Sequence, residues 1–171
     1  KVKPVIKTNF LIPFNYFKST FTNIDLLSID IKHKNVLKIN SSRERAKDKL
    51  FYISQPSDWV NAYGTYKKNK FPLKIRLKGL LIDHWQDDGF WSFKSKTKGD
   101  NTLLGMKRFE LQHPRTRAYL NEWYFHKINK FSGLVAPRYG FLRLFVNGKK
   151  YPIYAFEEGL DKRLIEHNMR R

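Results

Sequence analysis

The chain contains no cysteine among its 171 residues. A disulfide framework, a thiolate zinc site and a cysteine nucleophile are therefore excluded. Glycine and proline are not abundant either, with 9 and 7 residues, which excludes collagen-like and low-complexity sequence. No run approaches the ~18 apolar residues that a membrane-spanning helix needs, and no signal-peptide pattern is present. Because the first residue is Lys1, we expect the chain to be a piece of a longer protein.

Acidic residues are scarce as well, with 15 Asp and Glu against 34 Lys and Arg, which gives a formal charge of +19. Such a charge favours polyanionic partners: nucleic acid, phosphate-bearing ligands or anionic surfaces. Large rings are abundant, with 14 Phe, 9 Tyr and 4 Trp. A chain of this length and aromatic content can build one well-packed domain and is too short for two comfortable ones.

Alternation of polar and apolar residues predicts an antiparallel sheet in the first half of the chain. The predicted strands are Trp59–Tyr66, Phe71–Lys78 and Phe90–Lys96, of which the first two form a hairpin around a polar turn. A helix is predicted over Val36–Leu50, because its second half is rich in residues that favour helices.

The period changes to that of a helix in the second half. Apolar residues recur at helical spacing over Pro114–Phe131, which predicts one long helix. Asn147-Gly148 then predicts a two-residue hairpin turn. The pairs that this turn predicts are Val146 with Lys149, Leu144 with Tyr151, and Leu142 with Ile153. A final helix is predicted over Asp161–Arg170.

These elements predict an α+β fold, in which one long helix packs on an antiparallel sheet. Residues 1–30 are predicted to be an irregular N-terminal segment, although Ser28–Ile31 alternates like a strand. Residues 31–171 are predicted to form a single domain.

Two predicted strands carry alternating cations that could converge on a phosphate group. The cations are Lys74, Arg76 and Lys78 on one strand and Lys94 and Lys96 on the other. Phosphate recognition needs positive charge and N–H donors at fixed positions. Strand alternation alone also produces a solvated polar face, and on the pattern alone that interpretation is favoured.

Glu122 lies in the predicted long helix with Tyr119 at i−3 and His126 at i+4, so no local Lys or Arg pairs with it at ideal spacing. It either faces solvent or pairs with a distant cation. The five histidines, at 33, 84, 113, 126 and 167, show no metal-ligand spacing, so no metal site is predicted from them. No Gly-rich phosphate loop and no nucleophile elbow occurs.

Several motifs follow one another in order between Pro72 and Arg171. They are Ile75-Arg76-Leu77-Lys78-Gly79, His84-Trp85, Trp91-Ser92-Phe93-Lys94-Ser95-Lys96, Leu104-Gly105-Met106-Lys107-Arg108-Phe109, Gln112-His113-Pro114-Arg115-Thr116-Arg117, Asn121-Glu122-Trp123, Val146-Asn147-Gly148, Tyr154-Ala155-Phe156-Glu157-Glu158 and Asp161-Lys162-Arg163-Leu164-Ile165-Glu166. Together they resemble the N-terminal half of the CotH kinase family, atypical protein kinases first associated with spore coats. The chain departs from the family at Pro152, where a Gly is usual. The missing N–H of Pro152 predicts an edge strand or a bulge.

The resemblance implies a fold like the N-terminal lobe of a kinase, and it assigns roles within an ATP site. Lys94 is the first choice for the lysine that contacts phosphate, with Glu122 as its partner on the helix. The further ATP contacts that it implies are Lys78, Arg76 and Lys107 for the phosphates, and Glu157 and Glu158 on the hinge strand beside the adenine.

The resemblance also implies the activity of the whole protein: transfer of the γ-phosphoryl group of ATP, with Mg²⁺, to Ser or Thr of an acidic, coat or surface protein. The implied location is a bacterial spore coat or cell surface. In the family the catalytic and metal-binding aspartates lie C-terminal to the matched segment, so this chain is expected to contain no catalytic residue. Two alternatives stay open, namely a non-catalytic module for anionic partners and a basic nucleic-acid-binding domain.

Overall fold

The computed structural model of the chain describes residues 23–86 and 90–169. The strands are β1 (Leu26–Ile31), β2 (Val60–Tyr66), β3 (Asn69–Leu77), β4 (Phe93–Thr97), β5 (Arg108–Gln112), β6 (Tyr139–Val146) and β7 (Lys149–Glu158). The α-helices are α1 (His33–Lys49), α2 (Asn121–Phe131) and α3 (Lys162–His167). Short 3₁₀ turns lie at Pro56–Asp58, Ile82–His84 and Pro114–Arg117.

The strands form a closed barrel in the order β1-β2-β3-β4-β5-β7-β6. Neighbouring strands are antiparallel except β1 and β6, which pair in parallel and close the barrel. The predicted α+β class, an antiparallel sheet with one long helix packed on it as in a kinase N-terminal lobe, is therefore wrong. The physical reason is β1, whose backbone hydrogen-bonds on both sides and so leaves the sheet without edges.

The predicted long helix over 114–131 is interrupted near its start. Pro114–Arg117 forms a 3₁₀ turn, and Ala118 and Tyr119 then adopt positive φ angles of 48° and 60°. Left-handed residues cannot continue a helix, so α2 begins only at Asn121. None of its residues is buried.

The helix that packs against the barrel is instead α1. It buries Ile39, Ser42, Arg43 and Ala46. Arg43 is buried because its guanidinium donates to the backbone carbonyls of Trp85 (2.6 Å) and Gln86 (2.7 Å). The prediction of a helix over 36–50 is confirmed, with its start at His33.

The barrel interior follows the predicted alternation. Leu73, Ile75 and Leu77 point inward from β3 and are almost fully buried. The neighbouring strands β4 and β5 contribute Phe93, Phe109 and Leu111 to the same core. The outward positions of β3 and β4 carry the cations, which places them on the barrel wall.

The predicted 147–148 hairpin is confirmed at its tip and shifted below it. Val146 pairs with Lys149 as expected, but the register slips between Arg143 and Phe145, so that Leu142 faces Tyr154 instead of Ile153. The slip falls beside Pro152, as the missing N–H predicts for a bulge. Its consequence is that Tyr154 is buried and Ile153 is not.

The hairpin turn is attached to β1 by the side chain of Asn147. Its Oδ1 accepts from the backbone N–H of Ile31 at 2.6 Å, and its Nδ2 donates to the Ile31 carbonyl at 2.9 Å. Asn147 also has a φ of 49°, which asparagine tolerates better than most residues.

We expect Asn147→Gly to lower the free energy of unfolding by about 1–2 kcal/mol, because two hydrogen bonds are lost while glycine keeps the positive φ. Asn147→Ala should cost more, since it adds backbone strain to the same loss. Urea unfolding of both variants measures the difference. If the glycine variant is as stable as the wild type, the side-chain bridge contributes nothing.

The boundary predicted after residue 30 divides β1, which begins at Leu26 and belongs to the barrel. The rest of the predicted irregular segment, residues 1–22, lies outside the described part of the chain. Within the described residues, no helix has both the length and the apolar character needed to cross a membrane.

Candidate anion-binding site

Like charges face one another across three neighbouring strands of the barrel wall. Lys74 of β3 lies opposite Lys96 of β4, and Arg76 lies opposite Lys94. Lys96 in turn lies opposite Arg108 of β5. Directly opposed like charges destabilise a sheet. A row of this kind therefore favours the binding of an anion.

Lys96 is surrounded by other cations of the barrel wall. Burial, and then repulsion from Lys74, Arg108 and Arg76, lower the pKa of Lys96 from its ordinary value. Its ammonium lies 4.3 Å from the ring centre of Trp59, and the Arg76 guanidinium lies 5.1 Å from the same ring. The indole face partly compensates the two cations, but it supplies no counter-charge.

These cations border a cleft of about 530 Å³. Its lining combines basic, acidic and apolar residues: Trp59, Arg76, Lys94, Ser95, Lys96, Arg108, Phe109, Glu110, Pro137, Glu157, Glu158, Gly159 and Leu160. The cleft thus joins a cationic wall to the end of β7. It contains ring and aliphatic surface as well as charge, which suits a ligand with both an anionic and an apolar part.

The cleft lining also includes Glu110, which is the centre of an ion-pair network. Its carboxylate contacts Lys78 and, at 3.0 Å, Lys94. The Lys78 ammonium also donates to Gln112 Oε1 (2.5 Å) and lies 3.6 Å from Glu157. Burial would raise the pKa of Glu110, but the two lysines outweigh it and hold the pKa below its ordinary value.

A second cluster continues from this network toward α2. Glu122 and His126 lie one turn apart on α2, and Glu157 faces them from β7. Burial lowers the pKa of His126 from its ordinary value, against the opposing effect of Glu157. Burial raises the pKa of Glu157, which Lys78 only partly offsets.

The structure brings most of the predicted ATP residues together. Arg76, Lys94, Glu157 and Glu158 all line the cleft described above. Lys78 lies behind it, enclosed by Glu110 and Gln112. Lys107 lies apart and contacts the Gly99 carbonyl and Asp100.

The ion pair implied between Lys94 and Glu122 is not the one that forms in the described residues. Lys94 contacts Glu110, while Glu122 pairs with Arg117 at 3.2 Å. The reason is position: Glu110 is the cross-strand neighbour of Lys94, whereas Glu122 on α2 has Arg117 beside it. Glu158 is also held away from solvent, because Arg138 binds both of its carboxylate oxygens, at 3.0 and 2.6 Å.

Sequence reasoning did not single out Trp59, Arg108, Glu110 or Gln112 as site residues. The sequence signal that could have identified two of them is the alternation of Arg108-Phe109-Glu110-Leu111, which places Arg108 and Glu110 on one face of a strand. Sequence reasoning noted the i,i+4 spacing of Glu122 and His126 but did not predict that Glu157 faces them from β7.

A scan against protein-family models matched no family, and a search of curated proteins found no match to this chain.

Proposed function

We propose that the cleft binds the phosphate groups of ATP, and that the chain is the nucleotide-binding portion of a CotH-like protein kinase. The observation that carries the proposal is the opposed cation row formed by Lys74, Arg76, Lys94, Lys96 and Arg108. Repulsion in this row costs stability unless an anion is bound, so the arrangement favours a function that uses the charge. The motifs that resemble the kinase family supply the choice of nucleotide.

The donor set fits phosphate oxygens. Arg76 and Arg108 can each offer paired N–H donors, while Lys94 and Lys96 offer ammonium groups between them. Their role would be to neutralise and orient the phosphate chain, and ATP itself would supply the transferable γ-phosphoryl group. Trp59, Pro137 and Leu160 supply the apolar surface that a base requires.

The cleft carboxylates do not fit a magnesium ion held by this chain. Glu110 is paired with Lys78 and Lys94, and Glu158 with Arg138. Magnesium prefers free carboxylates together with phosphate oxygens and water. In the proposed function the protein ligands for Mg²⁺ would therefore come from elsewhere in a longer kinase chain.

The proposal does not require an open kinase-like sheet. It requires that cations from β3, β4 and β5 converge near the end of β7, and neighbouring strands of a barrel achieve this as well as an open sheet does. In this arrangement Lys78 supports the site from behind, through Glu110, while Lys94 at the surface meets the phosphate.

We expect Lys96→Ala and Lys94→Ala each to weaken ATP binding by about tenfold or more, because a charge-assisted hydrogen bond is lost in each case. Lys150→Ala is the matched control, since Lys150 lies eight residues before Glu158 on the same strand. Eight strand residues span about 26 Å, so the control removes one charge far from the cleft. Calorimetric titration with ATP measures all three variants.

The competing functions predict different results in the same titration. A non-catalytic anion-binding module would bind inorganic tripolyphosphate as tightly as ATP. A nucleic-acid-binding domain would prefer oligonucleotides, with an affinity that falls steeply with salt. If Lys96→Ala and the wild type bind ATP with equal affinity, the cation row does not contribute to ATP binding.

A further inference from the structure

We propose that Glu122, His126 and Glu157 bind one divalent transition-metal ion of the zinc class, with Gln112 holding the two carboxylates in position. The site joins α2 to β7 and lies beside the cleft. It depends on neither ATP binding nor the kinase resemblance, because none of its geometry involves the cation row.

The three side chains already converge. His126 Nε2 lies 4.0 Å from Glu122 Oε1 and 3.9 Å from Glu157 Oε1. These separations are too long for hydrogen bonds. Two ligand atoms each ~2.1 Å from one tetrahedral zinc ion lie about 3.4 Å apart, so a small inward movement would complete the coordination.

The lone pair of the His126 imidazole accepts no hydrogen bond in the described residues. Both of its ring nitrogens are buried without a hydrogen-bond partner in the described structure. Buried polar atoms are rarely left in this state in native proteins, and an unfilled ion site is one physical explanation for it. An imidazole nitrogen facing two carboxylate oxygens is a donor set that borderline metal ions accept.

Gln112 fixes which carboxylate oxygens face the histidine. Its Nε2 donates to Glu122 Oε2 at 3.3 Å and lies 3.5 Å from Glu157 Oε2. Its Oε1 accepts from Lys78, which determines the orientation of the amide. The Oε2 atoms are thereby engaged, and both Oε1 atoms are left toward His126, as ligand-orienting contacts around metals typically arrange.

The surrounding charges favour a site that selects particular metal ions over a site that binds any cation. Arg117 contacts Glu122 Oε2 at 3.2 Å, and Lys78 lies 3.6 Å from Glu157 Oε2. These cations reduce the attraction for hard ions, which bind chiefly through charge and prefer more oxygen ligands. The imidazole nitrogen instead adds affinity for Zn²⁺ or Co²⁺ over Mg²⁺ and Ca²⁺.

The test is uptake of Co²⁺ and Zn²⁺ by tag-free protein that has been freed of metal with a chelator. Co²⁺ binding is followed by visible absorption, and Zn²⁺ binding by calorimetry and thermal shift. We expect one ion per chain, displacement of Co²⁺ by Zn²⁺, and no competition from millimolar Mg²⁺.

The matched variants are His126→Gln and His33→Gln. His126→Gln should abolish uptake, whereas His33→Gln removes an exposed histidine at the start of α1 and should bind as the wild type does. Glu122→Gln should weaken binding as well. Because the His126 ring nitrogens make no hydrogen bond in the described residues and glutamine keeps much of the volume of either side chain, these changes should leave the far-ultraviolet circular dichroism unchanged.

Two outcomes would overturn the proposal: no Co²⁺ or Zn²⁺ uptake by the wild type, or uptake that persists in His126→Gln. Neither outcome affects the proposed ATP site, which is tested with Lys94 and Lys96 variants. Conversely, metal uptake that His126→Gln abolishes would stand even if ATP did not bind.

Discussion

Replacing Lys78 with methionine is expected to lower the free energy of unfolding by about 3–5 kcal/mol. The Lys78 side chain is only 7% exposed, and its ammonium contacts Glu110, Gln112 and Glu157. Methionine preserves much of the volume but removes the charge. Two partly buried carboxylates would then lose a counter-charge, and Gln112 Oε1 would lose its donor. Urea unfolding at pH 7 measures the change.

Lys94→Met is the matched control, because Lys94 pairs with the same Glu110 carboxylate but has a side chain that is 44% exposed. Solvent screens a pair of this kind, so we expect a loss of about 0–1 kcal/mol. Equal losses in the two variants would mean that burial does not strengthen the Lys78 pairs.

The double variant Lys78→Met/Glu110→Gln separates charge from packing. If the cost of Lys78→Met comes from an uncompensated carboxylate, neutralising Glu110 should recover part of the lost stability. If the cost is lost packing alone, the second substitution should add its own loss to the first.

Local patterns predicted most of the strands, because each strand has one face in a single core. The alternation of β3 predicted its inward residues correctly, and Asn147-Gly148 predicted a turn that forms. The barrel itself could not be predicted in this way. The barrel is closed by the pairing of β1 with β6, in which Ile29 lies opposite Val146. These residues are 117 positions apart in the sequence (146 − 29), and no local periodicity encodes a pairing so distant.

The failure at 114–131 has a different cause. The apolar residues there do recur at helical spacing, but the face they form is exposed: Phe125 and Ile128 are about 60% accessible. Periodicity indicates that a helix has an apolar face, and it does not indicate what that face contacts. The sequence pattern therefore predicted a packed helix where α2 leaves its apolar side open.

The candidate site was partly predictable for a related reason. The cations of β3 and β4 were visible as an alternating face, but their direct opposition depends on register, which only the structure gives. The partner of Lys94 was predicted on the helix and lies on the next strand, because Glu110 is nearer in the sheet than any residue of α2.

The second large effect is expected at Asp58, where Asp58→Asn should lower the free energy of unfolding by about 3 kcal/mol at pH 7. The carboxylate is buried and accepts from Ser42 (2.9 Å), Arg45 (2.6 Å), Tyr52 (2.9 Å) and the Gln55 N–H (2.8 Å). It thereby ties α1 to the segment before β2. Asparagine would direct an N–H₂ group at some of these donors.

The same contacts give the effect a defined pH dependence. Burial alone would raise the pKa of Asp58, but the hydrogen bonds from Gln55, Arg45, Tyr52 and Ser42 outweigh it and lower the pKa. Because the folded pKa lies below the unfolded value of about 3.9, the stabilisation is fully present above that pH. It is lost as the pH falls through the folded pKa.

The difference in stability between wild type and Asp58→Asn should therefore be constant from pH 7 to about pH 5 and shrink below about pH 4. Asp30→Asn is the control, because Asp30 is exposed on β1 and its substitution should change stability by no more than about 0.5 kcal/mol. Urea titrations of the three proteins at pH 7, 5 and 3 measure both effects. A gap that widens toward pH 3 would mean that the folded pKa of Asp58 lies above the unfolded value, and that the contacts with Arg45 and Gln55 do not stabilise a carboxylate.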